Sequence, residues 1–343
     1  LTWFTSPNGD AVDESLVDDL YRRAVRGDTA VVLRLLSDLL DRGVATDVVI
    51  GEILATVLRR VGDDWYRGTV SAADQHRAAG VVQRSLEAIA ASQMLKSAGV
   101  VVHVACAVGE WHAVPAQMLA GMLRARGLRV GFLGASPPPE YVADAAAGEH
   151  GGPVVVSCTM VSNLPGVADL VGAVHAHDRP VIVGGAAFDA DSGRRWASRL
   201  GADAWAASVD DAAGILETWQ RATPPIRRDG APWSPGLRRL YADAGRVADQ
   251  AVVGASTIDS AVGLYIKTWN AELRDGLTAI TRCAVAARLV DDPMALTGAV
   301  HWLAGFLANR DLPEAVVNAS LRALVVSMAP MDQLSADLVA DAR

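Results

Sequence analysis

Along the chain, apolar positions first recur at helical spacing, then fuse into short continuous runs, then return to the helical period. The opening region carries four amphipathic segments: SLVDDLYRRAVRGD, TAVVLRLLSDLLDRG, ATDVVIGEILATVLRRVGDDWYRG and SAADQHRAAGVVQRSLEAIAASQML. Thr29 and Ser71 stand where N-caps belong, and Gly27, Gly43 and Gly68 where helices stop. Four helices with short connections over residues 12–98 predict an antiparallel four-helix bundle.

At residue 100 the period changes. GVVVHVACAV is a β-branched run, the pattern of a strand covered on both faces. Strand-like runs (LRVGFLG, PVVVSCT, RPVIVGG, ADAWAA) then alternate with helix-like ones as far as DDAAGILETWQRA. Five strands alternating with five helices predict a doubly wound, flavodoxin-like, parallel α/β domain over residues 99–222. TPPIRRDGAPWSPG, residues 223–236, reads as a linker by its Pro and Gly content. Residues 237–343 return to helices, including one long segment from Ser256 to Leu289, with Pro293 and Pro313 at the first turns of later helices. The predicted fold class is thus α/β plus all-α: bundle, α/β layer and a C-terminal helical domain.

Composition narrows the function classes. The 343 residues are 51% hydrophobic with a net charge of −8, which excludes general disorder and leaves room for several cores. Mean hydropathy is +0.22, raised by alanine and valine. No apolar run approaches the roughly 18 residues that a spanning helix needs. LTWFTSPNGDAVDE lacks the basic and apolar regions of a signal peptide, so a cytoplasmic protein without membrane contact is expected. An acidic chain is a poor match for nucleic acid. Only Lys96 and Lys267 are lysine, a mark of coding bias. Cys106, Cys158 and Cys283 form no metal-binding spacing and read as small buried hydrophobes.

Ligands of doubly wound sheets bind beyond the carboxyl ends of the strands. The loop after the first strand, AVGEWHAVPAQML, places His112 there with Glu110 two residues before it. A carboxylate on one ring nitrogen fixes the imidazole so that the other can ligate a metal. A bare zinc ion wants three or four protein ligands. A metal already chelated in a macrocycle wants one, and one histidine is offered. A plain helix-capping role for His112 is the alternative.

A four-helix bundle followed by an α/β domain with Glu-x-His in its first βα loop resembles the cobalamin-binding module of methionine synthase, corrinoid proteins and CarH-type photoreceptors. The resemblance covers residues about 12–222. It implies that His112 ligates cobalt from the lower face. It also implies that Ser157, Thr159, Gly184 and Gly185 border the buried nucleotide tail. The family motif ends His-x-x-Gly, whereas this chain has His112-Ala113-Val114-Pro115. In CarH-type proteins a Trp and, eleven positions on, a Glu-His pair lie above the corrin. Here Trp65 and Gln75-His76 hold that spacing, with Tyr66 where the family has a histidine. Ordinary packing of Trp65 and a surface place for His76 are the alternatives.

CarH-type regulators begin with a winged-helix reader; about a dozen residues precede the bundle here, so such a reader is not expected. The C-terminal helices place His301 and Trp302 in an apolar segment, and Tyr265 and Trp269 four residues apart on one face. This organisation resembles the photocobilins, in which cobalamin and a bilin occupy neighbouring domains. His301 is then a candidate bilin contact and Cys283 a candidate attachment point. A satisfied core histidine and an inert thiol are the alternatives. The resemblance implies a photoreceptor holding adenosylcobalamin and a bilin such as biliverdin. It further implies a homo-oligomer whose state light changes and a downstream signalling partner. A corrinoid carrier for a separate methyltransferase is the second reading, and an α/β scaffold without cofactor the third. No nucleophile, base or oxyanion arrangement stands out, so a non-enzymatic role is expected.

Overall fold

Most helix signals in the first hundred residues act as the pattern demands, but Thr29, expected as an N-cap, is the first helical residue and Asp28 holds the cap position. A computed structural model describes residues 13–93, 100–188, 191–222, 224, 226–230 and 233–342. The leader-free reading of the first residues falls almost wholly outside them, as do the tail of the 12–98 bundle range and parts of the 223–236 linker. Helices α1 (Glu14–Arg26), α2 (Thr29–Asp41), α3 (Thr46–Val48), α4 (Ala55–Tyr66) and α5 (Ala72–Ser92) make the N-terminal bundle. The Asp13 side chain caps α1, and Gly27 ends it with a φ of 85° that suits glycine. Ser71 caps α5.

Between α3 and α4 the backbone widens into a π-helical stretch, Val49–Leu54. Its residues Val49, Ile50, Gly51, Ile53 and Leu54 are all buried. Such π-helical turns are uncommon and occur mostly as single-turn widenings within α-helices. Each such aliphatic side chain contributes about 1.5–3 kcal/mol.

Strands β1 (Val101–Cys106), β2 (Val130–Phe132), β3 (Gly151–Ser157), β4 (Val181–Gly184) and β5 (Ala204–Ala206) form a parallel sheet in the order β2-β1-β3-β4-β5. Helices α6 (Ala113–Ala125), α7 (Pro139–Ala147), α8 (Leu164–His175), α9 (Gly193–Arg199) and α10 (Val209–Arg221) alternate with the strands. Ser208 and Asp211 close a capping box on α10. After β1 the chain winds to β2 on one side, and from β3 onward it winds to the other. The topological switch point, where such sheets open a crevice, therefore lies between β1 and β3.

The bundle packs directly on α6. A Cβ on Gly121 would come within 2.8 Å of Ile50 Cδ1, so a larger residue there would make the Ile50 side-chain tip shift. Gln93 Nε2 donates to the Gly121 carbonyl at 3.2 Å, and Arg126 bridges Asp47 and Asp210. One continuous apolar cluster runs from Leu20 and Leu36 through Ile50 and Leu86 to Leu119, Val155 and Leu216.

By internal contacts the chain divides into two compact units: Leu1–Thr159 with Asp169–Arg228, and Met160–Ala168 with Asp229–Arg343. The second comprises α11 (Pro235–Ala242), α12 (Ala244–Ile258), α13 (Gly263–Thr268), α14 (Asn270–Val290), α15 (Met294–Ala308), α16 (Glu314–Met328) and α17 (Gln333–Asp341). Its first segment includes a 3-10 turn, Val161–Asn163, that packs on α14. Gly254 of α12 brings that helix close to Ala323 of α16. The segment expected to run unbroken from Ser256 to Leu289 is divided. Asp259 caps a short 3-10 turn, and Trp269 leaves helical geometry with φ −109° and ψ 29°. The Trp269 N–H still bonds the Tyr265 carbonyl at 2.9 Å, so the four-residue spacing of this pair keeps its helical turn up to the break. No helix among the described residues is long and apolar enough to cross a membrane.

Candidate functional site

At the switch point, Glu110 is fully buried and its two oxygens face different loops. Oε1 accepts the His112 backbone N–H at 3.0 Å and lies 2.5 Å from His112 Nδ1. Oε2 accepts the Thr159 backbone N–H at 2.9 Å. The loops after β1 and β3 are thus joined through one carboxylate. The second loop along, between β2 and α7, supports the first. Ser136 donates its N–H to the Glu110 carbonyl, and its hydroxyl accepts from Gly109 N.

The His112 side chain is 59% exposed. Its hydrogen bond to Glu110 holds its pKa above the ordinary histidine value, against the opposing effect of burial. With Nδ1 committed to the carboxylate, Nε2 is the nitrogen left for a metal. Among the described residues no group of three or more His, Cys, Asp or Glu could hold a bare ion. The donor set fits a metal that arrives with its equatorial ligands in place.

Residues expected on sequence grounds to border the tail do lie together. Ser157 ends β3, is buried, and pairs in register with Cys106 on one side and Gly184 on the other. Gly185 follows with a φ of 105°, a conformation that side-chain-bearing residues rarely adopt. Its carbonyl receives Phe188 N, and the Gly184 carbonyl receives Cys158 N. Thr159 contributes through its backbone N–H to Glu110.

On the bundle, Trp65 is half-buried in the last turn of α4, and Tyr66 beside it is also half-buried. The preceding Asp64 accepts the Tyr21 hydroxyl at 2.6 Å. His76 lies exposed in the first turns of α5, with Nδ1 2.7 Å from Gln75 Oε1. His301 belongs to the second unit and is exposed on α15, although its segment is apolar. The buried face of α15 carries Ala295, Leu296, Val300, Leu303, Phe306 and Leu307, and His301 falls outside that stripe. Trp302 stacks on Phe306 at 5.0 Å, with Arg310 over the Phe306 ring. Cys106, Cys158 and Cys283 are all buried thiols, as expected.

Sequence reasoning missed Ser136. Its positive φ of 43° and its contact with Gly109 depend on a neighbouring loop. The only local signal was the run of prolines after it.

A helical bundle ahead of a parallel α/β layer, with one carboxylate-fixed histidine at the switch point, suits a macrocycle-binding protein. Residues 100–216 match the B12 binding domain family, and residues 16–90 match a second B12 binding domain family. The chain carries both domains and is a cobalamin-binding protein. It is similar in fold to the monomethylamine corrinoid protein of Methanosarcina barkeri, with a TM-score of 0.50 and 22% identity over 60% of this chain and 98% of that one. A smaller likeness, TM-score 0.34 at 17% identity, relates 63% of it to 83% of a chain of the methanol:cobalamin methyltransferase complex MtaBC of Methanosarcina barkeri. No curated protein matches the chain.

Proposed function

We propose that the chain is a light sensor that binds adenosylcobalamin, with His112 as the lower cobalt ligand and Trp65 over the adenosyl face. The observation that carries the sensor reading is Trp65, followed at the CarH-type spacing by Gln75-His76, in a bundle matched to a B12 binding domain. Bound adenosylcobalamin would supply a cobalt–carbon bond that visible light breaks. The protein's part is to hold both faces. Glu110 orients the imidazole, Ser157, Gly184 and Gly185 leave room for the tail, and Trp65 shields the upper group from solvent. With the upper group gone, the space beside Trp65 would open and the bundle could repack, a two-state element biased by its ligand. The proposal includes a homo-oligomeric state that light alters and a downstream signalling partner. It also includes a bilin such as biliverdin in the second unit, for which the Trp302–Phe306 stack offers an aromatic surface.

The test is to load the full chain with adenosylcobalamin in the dark, illuminate it, and follow the absorption spectrum and the solution mass. Photolysis with a change of mass is expected. Intact spectra and an unchanged mass would sink the sensor reading.

A corrinoid carrier for a separate methyltransferase is the second reading. It draws on the monomethylamine corrinoid protein, which this chain covers over 98% of its length. It needs His112 and makes no use of Trp65.

A further inference from the structure

At the opposite end of the sheet from His112, a cavity of about 190 Å³ opens among the amino ends of β1, β3 and β4 and the last turns of α10. Its walls include Val102, Pro153, Pro180, Leu216 and Trp219, and one cation, Arg179, lines it. No carboxylate is among the lining residues. Arg179 sits in the turn between α8 and β4. Its Nε is buried and meets no hydrogen-bond acceptor among the described residues. A guanidinium cannot shed its proton, and a buried donor of a charged group left unmet is costly. The turn nevertheless places it at the mouth of an apolar hollow. β1 is six residues long, so its ends, and hence this cavity and the His112 loop, are about 17 Å apart.

We propose that this cavity binds a small carboxylate with a compact apolar body. The carboxylate meets Arg179, and the body lies against Val102, Leu216 and Trp219. Size and chemistry select that class. A cavity of roughly 150 Å³ holds benzene, so this one takes a single ring or branched chain with its carboxylate. A neutral hydrophobe would leave the Arg179 donor unmet. A hydrated inorganic anion would gain one cation and face apolar walls. Arginine's fork suits a planar carboxylate.

Benzoate is the probe, titrated calorimetrically into the full chain alongside benzyl alcohol and inorganic phosphate. Saturable benzoate binding that raises the melting temperature is expected. Benzyl alcohol and phosphate should each bind at least about tenfold more weakly. Arg179→Met should weaken benzoate by at least about tenfold, and Arg179→Lys by less, since it keeps the charge and loses the fork. Leu216→Phe, which fills the cavity and leaves Arg179 in place, should also exclude benzoate. Circular dichroism confirms that each variant is folded. The proposal is overturned if benzoate gives no saturable heat at millimolar concentration, if Arg179→Met binds it as well as the parent chain, or if phosphate binds as tightly.

Discussion

Glu110 reaches two loops at once: Oε1 lies 2.5 Å from His112 Nδ1, while Oε2 holds the Thr159 N–H at 2.9 Å. The residue that orients the imidazole is therefore the same one that ties the two sides of the switch-point crevice together.

Replacing it separates the two duties. Glu110→Gln keeps a hydrogen-bonding amide but removes the charge. The His112 pKa should fall back toward the ordinary value of about 6.5, as read by a proton NMR titration of the apoprotein. Hydroxocobalamin affinity should drop by about 10–100-fold, the usual cost of losing such a support. His112→Ala should abolish the spectrum of histidine-ligated cobalt altogether. Unchanged binding in both variants would remove His112 from the site.

Trp65 distinguishes sensor from carrier. Trp65→Ala should weaken adenosylcobalamin by about tenfold or more, equivalent to about 1.4 kcal/mol, and leave hydroxocobalamin, which has no bulky upper group, nearly unaffected. Trp65→Phe should recover much of the loss. Equal affinities for both corrinoids in Trp65→Ala would favour the carrier.

The strands were legible because VVHVAC and VIVG are β-branched runs that only a doubly covered strand accommodates. Glu110 and His112 were legible because two residues of spacing in one loop suffice to bring them together. What escaped depends on distant partners. Thr159 also gives its backbone N–H to Glu110, a contact set by the register of β1 on β3 that the sequence does not display. The π-helical stretch was illegible because VIGEIL has ordinary helical character, and its widening comes with burial of nearly the whole segment. On α15, His301 and Trp302 follow Val300 in sequence, but the buried stripe turns away from them. An apolar average over the segment concealed that orientation.

His103 gives the fold a pH dependence of its own. It lies on β1 in packed surroundings, is only 8% exposed, and neither ring nitrogen has a well-formed hydrogen bond among the described residues. Burial pushes its pKa down, against a smaller opposing influence of the Ala145 backbone. The unfolded chain therefore binds this proton more readily than the folded one. Its contribution to stability is complete above about pH 6.5. Below that value it is lost as pH falls toward the folded pKa, with a limiting slope of about 1.4 kcal/mol per pH unit. Urea unfolding of the apoprotein between pH 8 and pH 5 should show this loss. His103→Leu should flatten the slope and raise the stability at pH 5. If the slope persists in that variant, another group is responsible.

Cysteine chemistry tests the second chromophore. Burial, reinforced by the nearby Glu110 charge, raises the Cys106 thiol to about 12, and burial alone does the same for Cys283. The thiolate is the reacting form, so native protein at pH 8 should react with a thiol reagent only slowly, whereas all three cysteines should react once the chain is unfolded in denaturant. Biliverdin added to the full chain should then be held without a thioether to Cys283. Acidified solvent should extract it completely, and a denaturing gel should show no pigmented band. A covalent band lost in Cys283→Ala would show that α14 opens far enough to present its buried thiol. Burial of Cys283 among Leu277, Ile280 and Ala287 of the same helix argues against such an opening.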